Sequence, residues 1–111
     1  MENQLMNSAV EATLPVLYSQ EEKGDAALAV VKYFCLTSGW RWYATEYDPE
    51  EKLFFGFVHG FEVEMGYFSL TEFEELNAAQ SMPVIERDLY WTPMTIGGIK
   101  QEIAEYGHCR Q

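Results

Sequence analysis

The side chains able to make or break bonds are few in this chain, and their spacing does not bring them together. There are two histidines, His59 and His108, and two cysteines, Cys35 and Cys109. Nucleophilic catalysis needs a Ser or Cys beside a base that a third group orients. Cys35 falls inside an apolar run and His59 at the tip of an expected hairpin, so the two do not read as a pair. His108 and Cys109 are adjacent, whereas a zinc site needs three or four N or S ligands spaced to converge. Neither a metal nor a cofactor is expected. The 18 carboxylates allow a two-carboxylate hydrolase by inventory, but no pair stands out. Gly97-Gly98 falls in the first turn of the last helix, where backbone N–H groups can hold an anion; close packing of that turn is the simpler reading. There is no Walker loop and no dinucleotide glycine pattern. No catalytic residue is assigned and a non-enzyme is expected.

Charge is the stronger signal. Eighteen acids against seven bases give −11 at pH 7 in 111 residues. Such a chain is repelled by nucleic-acid phosphates and by anionic membrane surfaces, and is drawn to a cationic protein. Between residues 46 and 75 stand nine acids, Glu46, Asp48, Glu50, Glu51, Glu62, Glu64, Glu72, Glu74 and Glu75, against one base, Lys52. Alternate carboxylates along a strand repeat about every 7 Å, near the phosphate spacing of one nucleic-acid strand. A surface of that kind can occupy a positive groove built for nucleic acid; the plainer reading is a solvated acidic face.

The elements that must position these groups form one domain, expected over 14–106 between an N-terminal arm or short helix (1–13) and a flexible tail (107–111). Strands are expected over 26–36, 40–47, 53–58 and 61–68, from their β-branched and aromatic content. Asp48-Pro49-Glu50-Glu51 makes a type I turn and His59-Gly60 a two-residue hairpin. Residues 14–18 read as extended, because Pro15 biases Leu14 away from helix. Ser69 with Glu72 makes a capping box ahead of a helix. Residues 84–91 contain a fifth strand, and Thr95 caps a last helix that Gly107 ends. The order ββββ-α-β-α gives an α+β fold: a four- to five-stranded twisted antiparallel meander with two helices. Two cysteines are too few for a disulfide framework, no signal peptide is visible, and no apolar run approaches the ~20 residues a membrane helix needs. A cytoplasmic location is expected.

Alternation along the strands predicts faces. Pairing Tyr47 with Lys52 sets Trp42 opposite Phe57, Ala44 opposite Phe55 and Tyr43 over Gly56. The two-residue turn then puts Glu62 and Glu64 on the Trp42, Phe55, Phe57 face, with Phe61, Val63, Met65 and Tyr67 beside Phe54 and Val58. Trp40, Trp42, Phe55 and Phe57 thus make a candidate aromatic interface, unless helix and arm cover both faces.

The segments Leu14-Pro15-Val16-Leu17-Tyr18-Ser19, Ser38-Gly39-Trp40-Arg41-Trp42-Tyr43, Leu53-Phe54-Phe55-Gly56-Phe57-Val58, Glu64-Met65-Gly66-Tyr67-Phe68-Ser69 and Ile85-Glu86-Arg87-Asp88-Leu89-Tyr90-Trp91 together resemble one family over 14–103. It is the family called domain of unknown function 2958. The resemblance implies a small bacterial protein, often carried on plasmids and other mobile elements beside anti-restriction or conjugation genes. It supplies no activity and no catalytic residues. The leading expectation is therefore a non-enzymatic acidic module that binds a basic partner protein, inhibiting or regulating a nucleic-acid-handling enzyme. A small-ligand or hydrolytic domain using carboxylates and tyrosines is one alternative, and a homodimer through the aromatic face is another.

Overall fold

The computed structural model describes residues 4–108. Helix α1 (Ser8–Thr13) starts at Asn7, whose side chain accepts the N–H of Val10 at 2.9 Å. A 3-10 turn (Glu21–Ala26) follows. Strand β1 (Leu28–Ala29) precedes β2 (Val31–Cys35), β3 (Arg41–Asp48), β4 (Leu53–His59) and β5 (Val63–Ser69). Helix α2 (Leu70–Ala78) follows β5 directly, capped by Ser69, which accepts the N–H of Glu72 at 3.1 Å. Strands β6 (Ile85–Arg87) and β7 (Met94–Thr95) lead into helix α3 (Ile96–Tyr106), capped by Thr95 and ended by Gly107 at φ 77°. The main sheet is antiparallel, in the order β5-β4-β3-β2-β6, and β1 pairs with β7 in a separate ribbon. This is the α+β class with the antiparallel meander that the strand pattern implies.

Three stretches differ from the sequence expectation, each for a local reason. The strand expected over 26–36 breaks at Val30, whose N–H bonds the carbonyl of Ala44 at 2.9 Å while β1 turns away to β7. Residues 14–18 do not stay extended: Tyr18 takes φ 73° in a turn closed by Ser19 N–H to the Val16 carbonyl. The strand expected over 84–91 keeps three residues, because Asp88 starts a turn by accepting the N–H of Tyr90 through its carboxylate.

The larger correction concerns register. Thr45 is a bulge between Ala44 and Glu46, its hydroxyl donating to the Phe55 carbonyl at 3.0 Å. The β3–β4 turn closes at the Asp48–Leu53 pair, so Tyr47 pairs with Phe54 rather than Lys52; beyond the bulge, Ala44 pairs with Gly56, Tyr43 with Phe57 and Trp42 with Val58. A slip of one residue moves a whole set of side chains to the other face. The β4–β5 loop is also longer than two residues, since His59 pairs with Val63. Trp42 and Phe57 thus lie on opposite faces of the sheet. Val63, Met65 and Tyr67 join Phe55 and Phe57, not Phe54 and Val58.

Both faces are covered over part of their area. On one, Val31, Tyr33, Ala44, Tyr47, Phe54 and Phe68 pack under Leu70 and Phe73 of α2 and under Leu5 ahead of α1. Tyr33 donates its hydroxyl to the Leu5 carbonyl at 2.6 Å, which ties the first described residues onto the sheet. On the other face, Tyr43 and Phe57 pack with Ala27, Ala29, Ile96 and Ile99. Each large aromatic removes on the order of 150–250 Å² from water, and these two layers are where the fold gains its stability. Asn77 ties α2 to the edge: its carbonyl oxygen accepts the N–H groups of Val84 and Ile85 at 2.9 and 2.8 Å.

Candidate functional site

The exposed part of the α2 face is an aromatic groove. Cross-strand pairs share a face, so Arg87, Tyr33, Trp42, Val58 and Glu64 form one row across all five strands. Trp40 and Trp42 are half-buried, with ring centroids 6.1 Å apart. Trp42 meets Phe73 of α2 at 4.8 Å. Between these rings and α2 lies a cavity of about 470 Å³, lined by Trp40, Trp42, Phe68, Phe73, Leu76 and Glu72 among others. That volume is within the range of ligand and side-chain pockets. Phe61, in the β4–β5 loop, is 94 % exposed yet stands edge-on to Trp40 at 5.2 Å and 82°. The loop reaches Trp40 because Gly60 lies flat against its indole, where a Cβ would come within 2.7 Å of the ring.

Cys35 lines the same cavity, and its sulfur lies 3.4 Å from the Thr37 hydroxyl. Burial pushes the thiol up, but hydrogen bonds from the side chains and backbone of Ser38 and Thr37 outweigh it and bring the value down to about 7. No histidine stands behind it as a base. His59 pairs with Arg41 and Val63 on the far face, where burial, then the charges of Arg41 and His108, hold its imidazole below its ordinary value. Cys109 lies outside the described residues. Among the described residues, no three His, Cys, Asp or Glu side chains converge on a point that would hold a metal.

The nine acids singled out from the sequence separate into groups. Glu46 is not on the surface: it is 3 % exposed, and its two oxygens accept the backbone N–H groups of Tyr18 at 2.7 Å and Gln20 at 2.8 Å. Asp48 accepts the N–H of Glu50 and so shapes the β3–β4 turn. Glu50 and Glu51 are exposed in that turn, and Glu74 pairs with Lys52 at 3.6 Å. Glu62 and Glu64 are exposed at the other end of β4, about 20 Å away by strand rise. Glu72 stands on the groove wall and Glu75 is exposed on α2. The acids therefore do not form one patch; Glu64 and Glu72 are the two that share a face or wall with the tryptophans. Of the aromatic set, Trp40 and Trp42 line the groove. Phe55 and Phe57 face the other way, Phe55 against Tyr67 at 4.9 Å and Phe57 against Tyr43 at 6.0 Å.

Gly97-Gly98 serves packing. The N–H of Gly98 is taken by the Thr95 hydroxyl at 3.1 Å, and a Cβ on Gly97 would press on the Asp25 carbonyl. One charged group escaped the sequence reading. Lys32 is 5 % exposed, with its ammonium over the rings of Tyr43 and Trp91 at 5.6 and 5.4 Å and 3.7 Å from Asp88. Its signal was a lysine inside an otherwise apolar strand, a position that demands a partner.

The fold and the groove define a small α+β domain with an open aromatic groove between its main sheet and α2. The chain belongs to the family described as protein of unknown function (DUF2958), whose model matches residues 4–106. No curated protein and no solved structure matches it. No described helix is long and apolar enough to cross a membrane.

Proposed function

We propose that the protein is a binding module for a basic partner protein, an accessory of a mobile element that restrains a nucleic-acid-handling enzyme by engaging its cationic surface. One observation carries the reading: the groove at Trp40 and Trp42 is aromatic, open to solvent and lined by Glu72, with Glu64 two strands away in the cross-strand row of Trp42. Indole faces attract Lys and Arg, and a carboxylate beside them strengthens the preference. The net charge of −11 speeds the approach of such a partner. The family resemblance supports the mobile-element setting. The mimicry version is narrower than the sequence pattern suggests, because Glu46 serves the fold and the remaining acids divide among the two ends of the β4 strand and helix α2.

Selection of random short peptides against the protein tests this directly. Enriched peptides carry Lys or Arg, and their binding weakens with salt, as for charges screened over about 10 Å at 0.1 M. Trp42→Ala and Glu72→Gln each reduce binding, while Glu50→Gln at the far turn has a smaller effect. Enriched peptides with no positive charge, or binding untouched by both groove substitutions, would overturn the reading.

A further inference from the structure

The main sheet has two edges, and the fold treats them differently. Strand β6 is three residues long, its start is held by Asn77, and its Arg87 donates to the Gln4 carbonyl at 2.9 Å. Strand β5 is seven residues long, and among the described residues no strand pairs with its outer side. Proteins commonly blunt such an edge with Lys, Pro, a bulge or shortness. Val63–Ser69 has no Lys, no Pro and one charge, Glu64. On the α3 face of β5, Val63, Met65 and Tyr67 are 48, 39 and 52 % exposed. On the groove face stand Glu64, Gly66 and Phe68.

Gly66 is the second observation. A glycine inside a strand weakens it, and often marks a place where another chain or a ligand comes close. Among the described residues nothing asks for it: its φ is not positive, and a Cβ there would meet none of their atoms within 4 Å. Its pairing partner Gly56 is different, since a Cβ on Gly56 would overlap the Tyr43 carbonyl. Gly66 stands between Glu64 and Phe68 on that face of β5, and Phe68 lines the tryptophan groove.

We infer that β5 accepts an extended segment of the basic partner as a further strand. The inference rests on the basic-partner reading and specifies it. The segment alternates Lys or Arg with apolar residues. Its apolar side chains lie against Val63, Met65 and Tyr67; its basic side chains lie on the Glu64 face, where one stem crosses Gly66 toward Trp42. Main-chain hydrogen bonds supply affinity and the alternation supplies specificity. A second copy of this chain fits less well, because it would bring together two edges whose only charged side chain is a glutamate in molecules of charge −11 each.

The test uses the full-length chain with two capped synthetic peptides of equal composition: Lys-Val-Lys-Val-Lys-Val-Lys, and a block version with all lysines first. The alternating peptide should slow amide hydrogen exchange at residues 63–69 by about tenfold or more, and the block peptide should not. Gly66→Ile places a strand-favouring residue in open space, so its thermal midpoint stays level or rises, yet alternating-peptide affinity falls by about tenfold. Equal binding by both peptides, or protection confined to α2, would overturn the added strand while leaving the basic-partner reading standing. Protection of 63–69 without peptide, in a species that sediments as a dimer, would make a second copy the occupant and overturn it as well. Failure of both peptides to bind overturns the strand edge, and the peptide selection then judges the basic-partner reading alone.

Discussion

The carboxylate of Glu46 accepts the backbone N–H of Gln20 at 2.8 Å, across 26 residues of chain. Its other oxygen takes the N–H of Tyr18, and Gln20 in turn donates to the Thr45 carbonyl at 2.7 Å. An acid that looks like part of a charged surface is thus the fastening between the 16–20 turn and the β3 bulge. An amide at this place presents one acceptor and two donors, so one N–H is left facing a donor. Glu46→Gln should cost about 2 kcal/mol by urea unfolding. Glu50→Gln, exposed in the β3–β4 turn, should stay within about 0.5 kcal/mol. Equal effects would show that Glu46 does not hold the turn.

Gly56 faces the backbone of β3, where the bulge brings the Tyr43 carbonyl over it. Gly56→Ala should therefore cost about 3 kcal/mol or prevent folding, seen as loss of a cooperative thermal transition. Gly66→Ala, one strand away, should leave the transition within about 0.5 kcal/mol. A matched loss at both positions would mean that Gly56 does not lie under the Tyr43 carbonyl.

Cys35 gives a pH signature. Its folded thiol ionises at about 7, held there by Ser38 and Thr37 against the upward push of burial, whereas its ordinary value is 9.0. A depressed acid adds stability as pH climbs from the folded value to the unfolded one, and loses it as pH falls back through the folded value. In a Cys109→Ser background, stability should rise between about pH 7 and 9, and Cys35→Ser should flatten that rise. The iodoacetamide rate should have its midpoint near 7, and Thr37→Val should move it upward. A midpoint at the ordinary thiol value would remove the argument.

Tyr33 behaves in the opposite sense. Burial drives its phenol far above the ordinary 10.0, with the Arg87 charge pulling back only part of the way. A raised group stabilises the fold below its unfolded value and ceases to do so as pH rises through the folded one. Absorbance titration should therefore show Tyr33 ionising only with unfolding. Tyr33→Phe should abolish that linkage and cost about 1 kcal/mol through the lost bond to the Leu5 carbonyl, with faster amide exchange in α1. A reversible Tyr33 titration in the folded protein near the ordinary phenol value would contradict its burial.

What was legible in the sequence was the chemistry of neighbours. Ser69 and Thr95 act as caps, Asp48-Pro49 turns the chain, and Gly107 ends the last helix, because each effect is settled within a few residues. The misplacements came from distant partners. Thr45 carries no local mark of a bulge; the bulge exists where Phe55 and the 16–20 turn meet it. One residue of slip there separated Trp42 from Phe57 and split the expected aromatic interface in two. Glu46 has the same residue type as its exposed neighbours, and only the fold places two N–H groups above it. The groove was half legible: Trp40 and Trp42 were marked, but Phe73 and Leu76 read simply as the inner side of a helix.

The bond from Arg87 to the Gln4 carbonyl, spanning 83 residues, also sets an order of assembly. As the chain leaves the ribosome, the hairpins of β2 to β5 can close early, since each needs only a short loop. The open side of β2 then waits for β6, and the Tyr43 face waits for α3, the last of the described elements. Until then the nascent molecule is a sheet with one aromatic side bare and two edges unpaired, a state that invites association with other chains. Truncation within the last quarter of the sequence should thus yield an aggregating chain rather than a smaller working one, and mutations that slow translation ahead of β6 lengthen that exposure.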